Sequence, residues 1–251
     1  LMDIDVALKT THFGDSVDLG LFAVLESDQG DRFGGEFFAS RFQRKVNDLT
    51  LGHRLTYSDK PILERQAIVQ AIDLDWQNQT GLRIRGELLF SDVRRSSDAA
   101  GSRFEIEEAD FAGWTKLSYG PSDAWKHNLF LSRYGDEFDL NDLGFMKRND
   151  ITEVYGSSRY KRLKYDSDSI LLSSSTKLDF GYSENSAGLR LESWLGFENE
   201  WDFRSTRSIE FNFGVYSSGW DVRIKFQWVG IDAEVVSGYM LDDKGRLIIS
   251  D

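Results

Sequence analysis

The feature that most constrains this chain is a strict two-residue alternation, sustained over segments longer than ordinary strands. Ile170, Leu172, Ser174, Thr176, Leu178, Phe180 and Tyr182 fall on one face of an extended segment, and Leu171, Ser173, Ser175, Lys177, Asp179 and Gly181 on the other. The pattern returns with Ala187, Leu189, Leu191, Ser193, Leu195 and Phe197 against Gly188, Arg190, Glu192, Trp194, Gly196 and Glu198. Ile209, Phe211, Phe213 and Val215 then oppose Ser208, Glu210, Asn212, Gly214 and Tyr216. A last segment sets Trp220, Val222, Ile224, Phe226 and Trp228 against Asp221, Arg223, Lys225 and Gln227. Short polar links join these segments, which predicts a meander of consecutive antiparallel hairpins.

The first half follows the same rhythm with a noisier register. Strands are predicted near residues 3–11, 16–26, 35–44, 48–57, 66–77, 80–91, 109–119, 124–134 and 149–161, with a loop at 135–148. Pro61 and Pro121 fall between alternating segments, where a missing backbone donor does no harm to a ladder. The polar stretches Arg94 to Ser102 and Tyr165 to Ser169 read as exposed loop tips. No linker or change of composition divides the chain, so residues 1–251 read as one domain. The chain opens on Leu1-Met2-Asp3-Ile4, without a targeting signal, and closes on Ile248-Ile249-Ser250-Asp251, without a terminal aromatic residue. The expectation is therefore a segment of a longer protein.

Composition removes several function classes. The 42 acidic and 30 basic residues give a net charge of −12, the wrong sign for a nucleic-acid surface. The absence of Cys excludes disulfides, thiolate metal sites and a cysteine nucleophile. No run of about 18 apolar residues occurs, which excludes a transmembrane helix and leaves a transmembrane barrel open, because alternating strands never produce such a run.

Alternation alone does not say which face meets water. A soluble sheet hides its apolar face, and a membrane barrel turns the same pattern inside out. Three features favour the barrel. The segments reach the roughly 9–11 residues that cross a bilayer on a tilt, against about five or six in ordinary sheets. Trp220 and Trp228 lie eight residues apart on one apolar face, a span of about 20 Å at roughly 3.3 Å per residue and a tilt near 40°, close to the separation of two interfacial aromatic girdles. The opposite face mixes Gly181, Gly188, Gly196 and Gly214 with Arg190, Glu192, Arg223 and Lys225, as a crowded, water-wet lumen requires. The reading is an all-β, antiparallel up-and-down meander that forms a transmembrane β-barrel, or a segment of one, in a Gram-negative outer membrane. Arg190, Glu192, Arg223 and Lys225 are its candidate lumen residues, and outer-membrane lipid is its first partner.

The stretch Tyr134-Gly135-Asp136-Glu137-Phe138-Asp139-Leu140, continuing through Gly144-Phe145 to Arg148-Asn149-Asp150, resembles a signature of an outer-membrane family. In that family a C-terminal barrel follows an N-terminal domain similar to a family 9 carbohydrate-binding module. Phe138, Asp139, Gly144, Phe145, Arg148 and Asp150 fit the signature; Leu140 stands where the family has Pro, and one extra residue precedes Gly144. Val6 to Thr11 and Arg41-Phe42-Gln43-Arg44 also resemble its early barrel strands. The family has no established activity. The resemblance implies an outer-membrane location and an upstream glycan-binding-like domain, hence a non-enzymatic role in binding or uptake of an extracellular glycan or small solute.

The residues themselves name no reaction and no cofactor. His12, His53 and His127 are far apart and match no metal-ligand spacing. Asp136, Glu137, Asp139 and Asp142 offer oxygens to Ca²⁺ but lack the spacing of a dedicated calcium loop, so a solvated or Arg148-paired loop is the plainer reading. Phe138 and Phe145 read first as anchors docking this loop, since exposed Phe is costly. The serines have no nucleophile elbow and no evident His and Asp partners, and Gly34-Gly35 has no following helix to cradle phosphate. Two rivals stay open. A soluble all-β binding module would bury Leu189, Leu191, Leu195 and Phe197 and expose Arg190 and Glu192. An outer-membrane hydrolase would need His53 or His127.

Overall fold

A computed structural model describes residues 4–27, 34–99, 102–140, 148–205, 207–217, 220–228, 231–241 and 247–249. Its strands are β1 (Ile4–Phe13), β2 (Val17–Glu26), β3 (Glu36–Val46), β4 (Leu49–Lys60), β5 (Arg65–Gln77), β6 (Leu82–Ala99), β7 (Ser102–Ser122), β8 (Trp125–Tyr134), β9 (Ile151–Arg162), β10 (Leu171–Glu184), β11 (Arg190–Phe203) and β12 (Ser208–Ser217). These twelve form one antiparallel sheet in strict chain order. A 3₁₀ turn, Pro61–Leu63, links β4 to β5 with Pro at its start, where no donor is needed. Among the described residues β1 and β12 are the two edges of this sheet, which is not closed into a barrel.

Three expectations are corrected. The segment from Trp220 was expected to continue the meander from its predecessor. Instead β13 (Trp220–Trp228) pairs with β14 (Ile231–Leu241), which pairs with β15 (Leu247–Ile249), in a separate three-stranded sheet. Alternation fixes the faces of a strand but not its partner, and the β14 register sets Ile231, Ala233 and Val235 opposite Trp228, Phe226 and Ile224. Second, the polar stretch from Arg94 is strand, not loop tip, as far as Ala99, and β7 begins at Ser102. The β5 ladder stops at Arg65↔Arg95. Cross-strand ion pairs, Arg94–Glu107 at 3.1 Å and Arg95–Glu108 at 2.8 Å, hold β6 to β7 there. Third, Pro121 lies within the end of β7, where the ladder has little further need of its donor. The stretch Tyr165 to Ser169 is irregular, as expected.

The chain divides into two compact units, residues 1–79 with 83–116 and 132–150, and residues 80–82 with 117–131 and 151–251. In the first unit β5 shows the distribution of its faces. Ala67, Val69 and Ala71 are buried, and Asp73 and Asp75 continue their face; Ile72 and Leu74, between them, are exposed. Register carries the pattern across the sheet: Asp73 stands opposite Gly52 and Glu87, and Ile72 opposite His53 and Leu88. One face is therefore small, polar and covered, with Ser58, Ser91 and Val93 buried on it, while Leu19, Leu21, Phe42, Leu51 and Leu88 are exposed on the other.

The second unit repeats this inversion. Leu178 pairs with Phe197 and Phe197 with Phe213, and Phe180 pairs with Leu195 and Leu195 with Val215, all on one face. Asp179, Gly196 and Gly214 form a row on the other. Glycine is required at Gly181, where a Cβ would meet the Trp194 indole and the Tyr155 ring, which stack across that face at 6.4 Å. A register shift separates Ser183↔Glu192 from Glu184↔Arg190.

Candidate functional site

The polar face of the first unit is built from paired charges. Alternation brings Arg41, Arg54, Asp73 and Glu87 onto it from four neighbouring strands. Arg41 grips Asp73 with both terminal nitrogens, one donating at 2.9 Å, and Arg54 pairs with Glu87. Glu87 also accepts the Trp114 Nε1–H at 3.0 Å, and Arg83 Nε donates to Asp75 at 2.8 Å. Such forked contacts fix side-chain geometry as well as charge.

The segment that follows β8 docks on this face. At its base the Gly135 amide donates to the Phe111 carbonyl at 3.1 Å, and the Asp150 amide to the Gly135 carbonyl at 3.1 Å. Asn149 Nδ2 donates to the Asp136 carbonyl at 2.6 Å, and the Glu137 amide donates to the Asp110 carboxylate at 3.2 Å. Phe138 is 0% exposed, packed with Ala71, Leu89 and Ala112 beneath Trp114, Tyr134 and Leu140. The small residues on β5 and β7 leave the space that its ring fills.

Asp139 completes the dock. Its amide donates to Ser91 Oγ at 3.1 Å, and its carboxylate accepts from Arg65 at 2.9 Å and Arg95 at 3.1 Å. Arg65 and Arg95 are directly opposite each other in the β5–β6 ladder, an arrangement that like charges disfavour. The carboxylate of Asp139 relieves it, with Glu108 taking a further bond from Arg95 at 2.8 Å. The acidic residues expected to be solvated, to pair with Arg148 or to hold Ca²⁺ thus include one that serves two arginines of the sheet.

The structure gathers some candidate residues and separates others. Phe138 and Asp139 meet Arg65, Ser91 and Arg95, none of which local motif reading singles out. Arg148 lies at the return of the docked segment; Gly144 and Phe145 lie outside the described residues, as does Asp142. Glu192 stands opposite Ser183 and Arg190 opposite Glu184 across the register shift, so the two do not share the simple alternation assigned to them. The extra residue, Leu191, reverses the phase of the strand. Arg223 and Lys225 lie in β13, and their side chains lie outside the described residues.

His12, His53 and His127 stand on β1, β4 and β8, and among the described residues no three His, Asp or Glu side chains converge on a metal position. In the second unit His127 stacks on Trp125 at 5.5 Å and on Tyr119 at 6.1 Å, and Trp125 meets Tyr160 at 4.7 Å, an aromatic row across the ends of three strands. Ser173 donates to Asp202 with no histidine between them. What the described geometry offers is a hydrogen-bonding, charge-compensated surface. The sequence matches no protein-family model and no curated protein.

Proposed function

We propose that this chain is the membrane-embedded sheet of a bacterial outer-membrane protein, a transmembrane barrel or a large segment of one, with a non-enzymatic role in taking an extracellular solute across its polar face. The observation that carries this reading is the inversion of the faces. Leu178, Phe180, Leu195, Ile209, Phe211, Phe213 and Val215 are each about half exposed on one continuous face of the second unit. At roughly 100 Å² each they present on the order of 700 Å² of apolar surface, and soluble monomers rarely expose more than a few hundred. Lipid is the solvent that removes this cost.

Further features support the same reading. The strands of the large sheet run from 10 to 21 residues, long enough to cross a bilayer on a tilt. The row of Tyr119, Trp125 and Tyr160 suits an interfacial girdle. Guanidinium–carboxylate pairs offer many donors and acceptors with little net charge, a surface suited to the hydroxyls of a glycan, the cargo that the family resemblance implies.

The test is fractionation of the full-length protein from a Gram-negative cell, followed by gel mobility of the membrane fraction before and after boiling in detergent. Recovery in the outer membrane with a heat-dependent shift is expected. Recovery as a soluble protein without a shift would mean that the exposed apolar face is covered by protein and that the soluble binding-module reading replaces this one.

A further inference from the structure

In the second unit three cations gather around one space. A hollow of about 160 Å³ is lined by Asp123, Ala124, Lys126, Arg159 and Lys161. Lys126 comes from the start of β8 and Arg159 and Lys161 from the end of β9, two residues apart and so on one face. The Lys161 amide donates to the Ala124 carbonyl at 2.7 Å, which holds the two strand ends together and keeps the three cations around a common space.

On the polar face of the first unit Arg41, Arg54, Arg65, Arg83 and Arg95 each hold a carboxylate, while Lys45 and Arg85 stand singly along it. Lys177, opposite Arg159 in the ladder, lies 3.1 Å from Asp179 and 3.6 Å from Glu198. Lys126, Arg159 and Lys161 have no carboxylate within 4.0 Å among the described residues. Scarcity does not explain this, because the chain has 42 acidic residues for 30 basic ones. Asp123 is the one carboxylate in the lining, outnumbered three to one. Clustered cations without a counter-charge repel one another, and an anion seated among them removes that cost.

We propose that this hollow is an anion site for a phosphate-type oxyanion. Arg159 supplies a planar fork that matches two phosphate oxygens, and the two lysines supply point charges on flexible stems. The group can belong to a phosphorylated solute or to a lipid headgroup; the three cations alternate with Trp125 and Tyr160 and so lie on the polar face of the sheet, which favours the solute. The assignment rests on the geometry of the second unit alone and stands or falls separately from the membrane reading.

The experiment uses the full chain purified in a maltoside detergent at low ionic strength. Inorganic phosphate is titrated and followed by ³¹P line broadening, and a second arm measures binding to phosphatidylcholine vesicles with and without phosphatidylglycerol. Wild type is compared with Lys126→Gln/Arg159→Gln/Lys161→Gln. Its control is Lys9→Gln/Arg44→Gln/Lys45→Gln, which makes the same charge change at exposed positions of the first unit. Phosphate affinity is expected to fall at least about tenfold in the first variant only, and to weaken with salt in wild type because these cations are exposed. Binding confined to phosphatidylglycerol, and lost in the same variant, assigns the oxyanion to a headgroup. Should the triple variant fail to fold, Lys126→Gln and Lys161→Gln singly must each still weaken binding, by about threefold. No binding in either arm, or equal loss in the two triple variants, overturns the proposal.

Discussion

Replacing Phe138 with Ala tests whether the segment after β8 is held to the polar face by the ring or merely lies there. The side chain is completely buried against Ala71, Leu89 and Ala112. Full burial of a Phe contributes about 1.5–3 kcal/mol. The segment has a second anchor in Asp139, whose bonds to Arg65 and Arg95 remain in the variant. Loss of the ring therefore weakens docking by about 2–3 kcal/mol, a rise of roughly 30- to 150-fold in the undocked population. The strands themselves are left paired, so the change is local rather than global. Limited proteolysis reads it: Glu137 and Arg148 flank the region and offer cleavage sites to a glutamate-specific protease and to trypsin. When opening is fast relative to cutting, the cleavage rate follows the undocked population. Cleavage of Phe138→Ala within about twofold of wild type would show that the ring does not hold the segment and that the account of this site is wrong.

Leu195→Arg places a charge on the apolar face at a position that is 49% exposed. In vesicles it is expected to destabilise the sheet by about 2–4 kcal/mol if it lies near the midplane, read by urea unfolding, whereas a surface substitution in a soluble protein stays within about 0.5 kcal/mol. A double-mutant cycle on Arg41→Gln and Asp73→Asn is expected to return a coupling of about 1–2 kcal/mol for their forked, partly covered contact, and a value near zero would mean that the pairing adds nothing to stability.

Strand positions were legible because period-2 patterning records two unlike faces directly: β5, β10 and β12 each alternate between a covered or polar row and an apolar one, and their observed ranges fall within a few residues of the expected ones. What alternation does not encode is partner choice and phase. The segment from Trp220 alternates as cleanly as its predecessor, yet its partner is β14, which no sequence pattern had marked. At Leu191 one extra residue in β11 breaks the phase, so a face assigned by counting through it places Arg190 and Glu192 together when their cross-strand partners differ. The docking site was half legible for a related reason. Phe138 stood out as a costly exposed ring, but Asp139 gains its role only from Arg65 and Arg95, distant in sequence and made neighbours by the β5–β6 register. Two arginines opposite each other in a ladder require a carboxylate from somewhere, and that requirement, visible once the register is known, identifies the segment that supplies it.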